Sequence, residues 1–175
     1  MFYSHLTEKT NHLTELLMVT AATALRSTKK QNDLREEGVE AFWSFSTNRD
    51  SLRDSERLEQ IKEGFSAALV QGLRAAFCLH ERSVEILMNA STSTLDRRRR
   101  EHKKLDSVAS ERLDRIAAVC GLAEEVFESR EAAAQWMSTP NKALGGDAPV
   151  MLCETEIGAK QVRRVLHALE WGGAA

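Results

Sequence analysis

Glu81-Arg82-Ser83-Val84-Glu85-Ile86-Leu87-Met88-Asn89-Ala90-Ser91-Thr92-Ser93-Thr94-Leu95-Asp96-Arg97-Arg98-Arg99-Arg100 is the stretch that decides the fold. It reads as a short helix over 81–88, a tight turn at Asn89-Ala90-Ser91 and a further helix over 92–103. Asparagine tolerates the left-handed backbone conformation that such a turn uses. Two short helices joined by a three-residue turn, after a longer helix, describe a helix-turn-helix. Val84 and Met88 on the first helix, Ala90 in the turn and Leu95 on the second fit its buried positions. One residue departs from the pattern. The crossing point of the two helices usually takes a small side chain, and Glu85 stands there. Either the crossing is looser or Glu85 turns out to solvent, with Ile86 beside it taking over the packing.

The second helix of such a unit enters the major groove by its N-terminal end. Ser91, Thr92, Ser93 and Thr94 lie at that end, and their hydroxyls can bond phosphates or base edges. Four consecutive arginines on a helix point about 100° apart, so they cannot all touch one groove. Arg97, Arg98 and Arg100 are the candidates for DNA contact, and Arg99 is expected to face other solvent or an acidic neighbour. The competing reading is a solvated basic helix face. Charge favours the first. Residues 61–104 carry 9 basic and 5 acidic side chains, against 8 and 10 in 1–60 and 7 and 11 in 105–175. A basic middle between acidic flanks points to an anionic partner for the middle alone.

Upstream, residues 58–77 form a second helical stretch, which Gly64 breaks, leaving Ser66 to cap 67–77. Residues 27–57 are polar and highly charged and read as a linker with one short docked helix around Phe42, Trp43 and Phe45. Three aromatics so close together must bury in this chain's core or in a partner. From Thr10 to Arg26, Leu13, Leu16, Leu17, Ala21, Ala24 and Leu25 recur at the spacing of an amphipathic helix.

Downstream, Asp106 or Ser107 can cap a helix carrying Val108, Leu113, Ile116, Val119, Leu122, Ala123, Val126 and Phe127. A short helix over 130–137 follows, and then loop chemistry. Pro140 disfavours helix at Thr139, Gly145-Gly146 supplies a sharp turn, and Pro149 suits the first turn of a helix. Thr155 can cap a last helix over 156–171, which Gly172-Gly173 ends. With no proline before residue 140, the expected class is all-α: a helical N-terminal extension over 1–57, a helix-turn-helix domain over 58–105 and a small helical domain over 106–175.

No run of 18 apolar residues marks a membrane span, and the N-terminus lacks the basic start and apolar core of a signal peptide. Three cysteines, odd in number and far apart in apolar contexts, read as buried thiols of a reducing cytoplasm. The five histidines are dispersed, none at metal-ligand spacing, and Gly145-Gly146 lacks the surroundings of a phosphate loop. No catalytic residue, metal or cofactor is expected, which sets an enzyme aside.

The stretch Trp136-Met137-x-Thr139-Pro140-Asn141-x-Ala143-Leu144-Gly145-Gly146-x-x-Pro149, then Leu152, Thr155-x-x-Gly158 and Val162, resembles the toxin-binding domain of the Xre/MbcA/ParS antitoxin family. Ile61-Lys62-Glu63-Gly64-Phe65 with Leu69 and Leu73 resembles the first helix of that family's Xre-like DNA-binding domain, and residues 105–126 resemble the helix joining the two. The resemblance implies an antitoxin made beside a toxin, often of the RES class, which degrades the dinucleotide NAD. It implies that the C-terminal domain covers the toxin's active-site cleft, that operator DNA of its own operon is bound and repressed, and that the chain is a homodimer suited to a palindromic site.

Within the motif, Trp136 is a core anchor, Asn141 bonds local backbone, and Leu144 plugs the loop. Gly145 and Gly146 allow its backbone, and Gly158 lets the last helix pack closely. With Pro140 and Pro149 these residues form a scaffold. Toxin contacts are expected on the exposed final helix and tail, at Lys160, Arg163, Arg164, His167, Glu170 and Trp171. Arg163 and Arg164 suit an anionic cleft and Trp171 suits a hot spot. Residues 1–57 lie outside the resemblance and could extend the DNA-binding domain, mediate oligomerisation or bind the toxin. Two alternatives stand beside this reading: a transcriptional regulator with no toxin, and an antitoxin that has lost operator binding.

Overall fold

The structure is a computed structural model that describes residues 2–49 and 51–172, with side chains from Leu25 onward. Every regular element among the described residues is helical: α1 (Phe2–Thr47), α2 (Asp54–Glu63), α3 (Ala68–Ala76), α4 (Glu81–Met88), α5 (Thr92–Arg100), α6 (Ser107–Phe127), α7 (Arg130–Ser138), α8 (Pro149–Leu152) and α9 (Glu156–Glu170). A single turn of 3₁₀ helix, Lys142–Leu144, lies between α7 and α8. By packing, the chain forms two units, Met1–Glu36 and Glu37–Ala175.

In the first unit the side chains of residues 25–36 are exposed, including Leu25 and Leu34. The rest of the apolar series that the sequence suggested there, Leu13 to Ala24, lies outside the residues whose side chains are described.

The expected linker over 27–57 does not exist as such, because α1 runs through to Thr47. Between Phe2 and Thr47 there is no proline and one glycine, so nothing in the backbone stops a helix once its end is anchored. The anchor is aromatic. Phe42 and Trp43 are buried, and their rings stand edge-on to Phe77 at 5.8 and 5.9 Å. Phe45 packs on Phe65 at 4.8 Å. The aromatics therefore belong to this chain's own core. Gly38 of α1 meets Gly72 of α3 backbone to backbone, and a Cβ on Gly72 would lie 2.1 Å from the Gly38 carbonyl oxygen.

Gly64, at φ 83°, ends α2 as expected. The Ser66 hydroxyl accepts from the Ala68 amide at 3.3 Å, although α3 starts a residue later than the sequence suggested, behind Ala67. Asp106 is the cap of α6, its carboxylate accepting from the Ala109 amide at 2.9 Å.

The core is organised by α6. Leu113, Ile116, Ala117, Val119, Cys120 and Ala123 are all fully buried on it. It packs against α2 and α4 along one part and against α7 and α9 along another. Val108, expected in the core, is exposed because it sits in the first turn, on the outer side of the buried Ala109.

A buried ionic cluster ties the end of α1 to this helix. The Arg49 guanidinium donates to Asp114 at 3.2 Å and lies 4.2 Å over the Phe45 ring, and Arg57 pairs with the other Asp114 oxygen. Arg49 and Asp114 are both buried. The buried Ser46 hydroxyl donates to the Ala117 carbonyl at 2.6 Å.

Two of the three cysteines are buried and one is not, which corrects the uniform expectation. Cys78 is exposed because the chain reverses there at φ 49° after α3. Burial pushes the Cys153 thiol up to about 12 and raises Cys120 well above its ordinary value. Since the thiolate is the reactive form, an aromatic disulfide reagent near neutral pH should label Cys78 alone in the folded protein. All three should react once it is unfolded. Equal labelling of all three under native conditions would contradict this packing.

Candidate functional site

The helix-turn-helix forms as the sequence indicates. Asn89 ends α4 in the left-handed region at φ 50°, ψ 39°. Val84, Met88 and Leu95 are buried, and Ala90 is half-buried. Leu87 closes the packing where Ile86 was expected to, and Ile86 is exposed. Arg112 of α6 donates to the carbonyls of Ile86 and Leu87 at 3.0 and 3.1 Å, satisfying acceptors that the end of α4 leaves open.

Glu85 takes neither role foreseen for it. Its carboxylate reaches across the crossing to the start of α5, where one oxygen accepts from the Thr92 amide at 3.0 Å and from the Thr92 hydroxyl at 3.2 Å. A carboxylate at a helix N-terminus is favoured by the backbone dipole and by the unpaired amides. Glu85 thereby acts as the packing bridge that a small residue would have supplied by contact. Ser91 is the N-cap, its hydroxyl accepting from the Thr94 amide at 3.3 Å. The Ser91 oxygen also lies 3.1 Å from the Ser93 hydroxyl and donates to the Thr94 hydroxyl at 2.9 Å.

The helix ends at Arg100, earlier than the sequence suggested. The arginines divide. Arg98 bends back, donating to the Lys104 carbonyl at 2.8 Å and lying 3.9 Å from Asp106. Arg99 faces Asp96 at 3.7 Å, the acidic neighbour expected for it. Asp96 also accepts from Gln71 at 3.0 Å, which fixes α5 to α3. Arg97 and Arg100 point outward and are exposed. Beyond them the Lys103 ammonium, 2.7 Å from Glu101, holds that carboxyl below its usual range.

The C-terminal motif builds a stapled loop. Asn141 organises it: its side chain accepts from the Ala143 amide at 2.9 Å, its carbonyl from the Gly146 amide at 2.9 Å, and its own amide donates to Asp147 at 3.1 Å. Gly145 and Gly146 have φ of 77° and 91°, backbone conformations that glycine takes without strain. Leu144 is buried beneath it. Pro140 lies exposed where α7 has ended, Pro149 opens α8, and Trp136 is half-buried against Phe127 at 5.7 Å. Thr155 caps α9 through the Gly158 amide at 3.1 Å, and a Cβ on Gly158 would lie 2.0 Å from the Leu152 carbonyl oxygen.

The six α9 and tail residues singled out from the sequence lie along the side of α9 away from the buried Val162 and Leu166. Arg163 is half-buried and pairs with Glu156, and His167 lies 3.2 Å from Glu170. Arg163 and His167 border a cleft of about 540 Å³ with Arg57, Asp114 and Arg115. Lys160, Arg164, His167 and Trp171 follow one another at helical spacing, and Trp171 is 84% exposed. Arg164 borders a shallow depression with Leu144, Gly145 and Gln161. Sequence reasoning missed Ile157, 77% exposed in the first turn of α9. Its place opposite the buried Gly158 and Ala159 was the available signal. It also missed Arg115, which donates to the Cys153 and Glu154 carbonyls at 3.0 and 2.8 Å and holds α8 to α6.

Among the described residues no group of three or more His, Cys, Asp or Glu side chains is placed to hold a metal ion, and no helix is long and apolar enough to cross a membrane.

Fold and surfaces together define a helical binding protein, in which a helix-turn-helix and a loop-stapled helical domain share one long helix. Residues 56–118 match the antitoxin Xre-like helix-turn-helix domain, and residues 122–172 match the antitoxin Xre/MbcA/ParS C-terminal toxin-binding domain. The chain is 31% identical to an antitoxin Xre of Yersinia enterocolitica, over 66% of this chain and 78% of that protein. It is 26% identical to a Prs ADP-ribosylating antitoxin of a Sphingobium species, over 69% and 81%. The chain belongs to the Xre/MbcA/ParS antitoxin family and carries that family's toxin-binding domain.

Proposed function

We propose that this antitoxin neutralises a RES-class, NAD-degrading toxin by laying α9 and its tail over the active-site cleft. It also represses its own operon by placing the N-terminal end of α5 in the operator's major groove. The observation that carries the first half is the division of labour in the C-terminal domain. The motif residues are consumed in holding the loop and the α8–α9 turn, while Ile157, Lys160 and Arg164 on α9 and Trp171 at its C-cap are left outward. A large exposed tryptophan beside cationic side chains is the composition of a protein-binding hot spot. The relative whose name joins an antitoxin to ADP-ribosylation supports a toxin that consumes NAD. The exposed Leu25 and Leu34 of the first unit suit a homodimer contact.

Co-expression with the product of the neighbouring reading frame tests the toxin half. The pair should co-purify, and the cellular NAD pool should fall when Trp171 and Arg164 are both replaced by alanine. If the wild-type chain neither binds nor protects against that product, the antitoxin mechanism fails and a regulator without a toxin remains.

The DNA half rests on Arg97 and Arg100, which are outward, rather than on Arg98, which is spent on the Lys104 carbonyl. Operator affinity should fall steeply with salt as phosphate contacts release counterions. The double change Arg97→Ala, Arg100→Ala should flatten the log–log slope by about 1–2. An unchanged slope would remove these two side chains from the interface.

A further inference from the structure

The hydroxyl-rich start of α5 is chemically polarised by Glu85. A threonine hydroxyl has one proton to donate and two lone pairs to accept with. In Thr92 the proton is committed, because the hydroxyl donates to the Glu85 carboxylate at 3.2 Å and that carboxylate can only accept. The same oxygen of Glu85 holds the Thr92 amide at 3.0 Å, so the Glu85 side chain cannot turn away from the hydroxyl without breaking both bonds. Thr92 therefore offers only lone pairs outward. A DNA phosphate also offers only lone pairs, and the carboxylate behind Thr92 adds repulsion. The groups in a major groove that do fit are the exocyclic amines, N6 of adenine and N4 of cytosine. Thr94 contrasts with it. Its oxygen accepts from the Ser91 hydroxyl at 2.9 Å, which leaves its own proton to donate.

We infer that Glu85 is a specificity-positioning residue which makes Thr92 an obligate acceptor, so that Thr92 reads the exocyclic amine of one base rather than a phosphate. The inference rests on the DNA-binding reading above and deepens it. It also accounts for an acidic side chain at the crossing point of the helix-turn-helix, where bulk and charge are otherwise unfavourable.

The test uses the full chain and a duplex pool with a randomised centre. The enriched duplex and each of its single-base-pair variants are then titrated against wild type, Thr92→Val and Glu85→Ala. Wild type should prefer the selected pair at one position by about fivefold to tenfold, near the lower end of what a base contact supplies. Inverting that pair, which moves the amine to the opposite strand, should remove the preference. Thr92→Val, which keeps the shape and loses the hydroxyl, should flatten preference at that position and leave the others. Glu85→Ala removes the accepting oxygen and frees the Thr92 hydroxyl to turn its proton outward, so preference at the same position should change toward an acceptor such as guanine. If both variants scale affinity by one factor across all base-pair variants, the assignment of Thr92 is overturned while DNA binding stands. If the wild-type chain enriches no duplex, the DNA-binding reading falls and takes this one with it. Should Glu85→Ala melt early, Thr92→Val together with the identity of the selected base, amine-bearing or not, still decides the question.

Discussion

Replacing Asp114 by alanine should lower the free energy of unfolding by about 3–5 kcal/mol, the range for removing one partner of a buried ion pair. Asp114 is buried on α6 and receives both Arg49 and Arg57. Arg49 is also buried, lodged between Asp114 and the Phe45 ring, so without the carboxylate its guanidinium is left charged away from water. The charge cannot be discarded, because arginine stays protonated. Urea unfolding should show a lower midpoint with an unchanged m value. The triple change Arg49→Met, Arg57→Met, Asp114→Leu should recover much of the loss, since apolar side chains of similar volume replace the whole ionic cluster. A loss below about 1 kcal/mol for the single change, the size expected of a surface pair, would mean that the cluster is solvated.

Gly158→Val should disable the toxin-binding domain. Even the first carbon of the new side chain would lie 2.0 Å from the Leu152 carbonyl oxygen and 2.8 Å from its carbon. Both are backbone atoms at the end of α8, so no rotamer relieves the overlap. The turn between α8 and α9 must open, at a cost of about 1–3 kcal/mol or more for overpacking. The Thr155 cap, which holds the Gly158 amide, strains with it. Hydrogen exchange should accelerate at the α8 and α9 amides, and co-purification with the toxin should be lost. Native-like protection with toxin binding intact would mean that the close approach is not required.

Much of this was legible in the sequence because it is local. The turn at Asn89, the caps at Asp106 and Thr155 and the glycine pair of the loop depend on backbone conformations that only a few residue types supply. What was not legible depends on partners far along the chain. Arg49 and Asp114 are 65 positions apart, and neither looks other than solvated in its own segment. The α1 segment read as a linker because its charges are dense, whereas its fate is set by the burial of Phe42 and Trp43 against Phe77. Glu85 stands out in the sequence as a misfit, but nothing in its own segment marks Thr92 as its partner. Side-chain reach across the turn, rather than helical periodicity, resolves it. Among the arginines, spacing separated Arg99 correctly from its neighbours. It could not see that Arg98 bends back to Lys104.

The matches to the two antitoxin domains end and begin at 118 and 122, both inside α6. The same few turns, from Leu113 to Ala123, line the hydrophobic interior of each half. Cutting the gene between the halves would therefore expose a core on both fragments, and residues 37–172 should melt in one cooperative transition rather than two. A protease that severs this helix would disable the toxin-binding domain and the helix-turn-helix in a single event, so the two share one lifetime rather than having two.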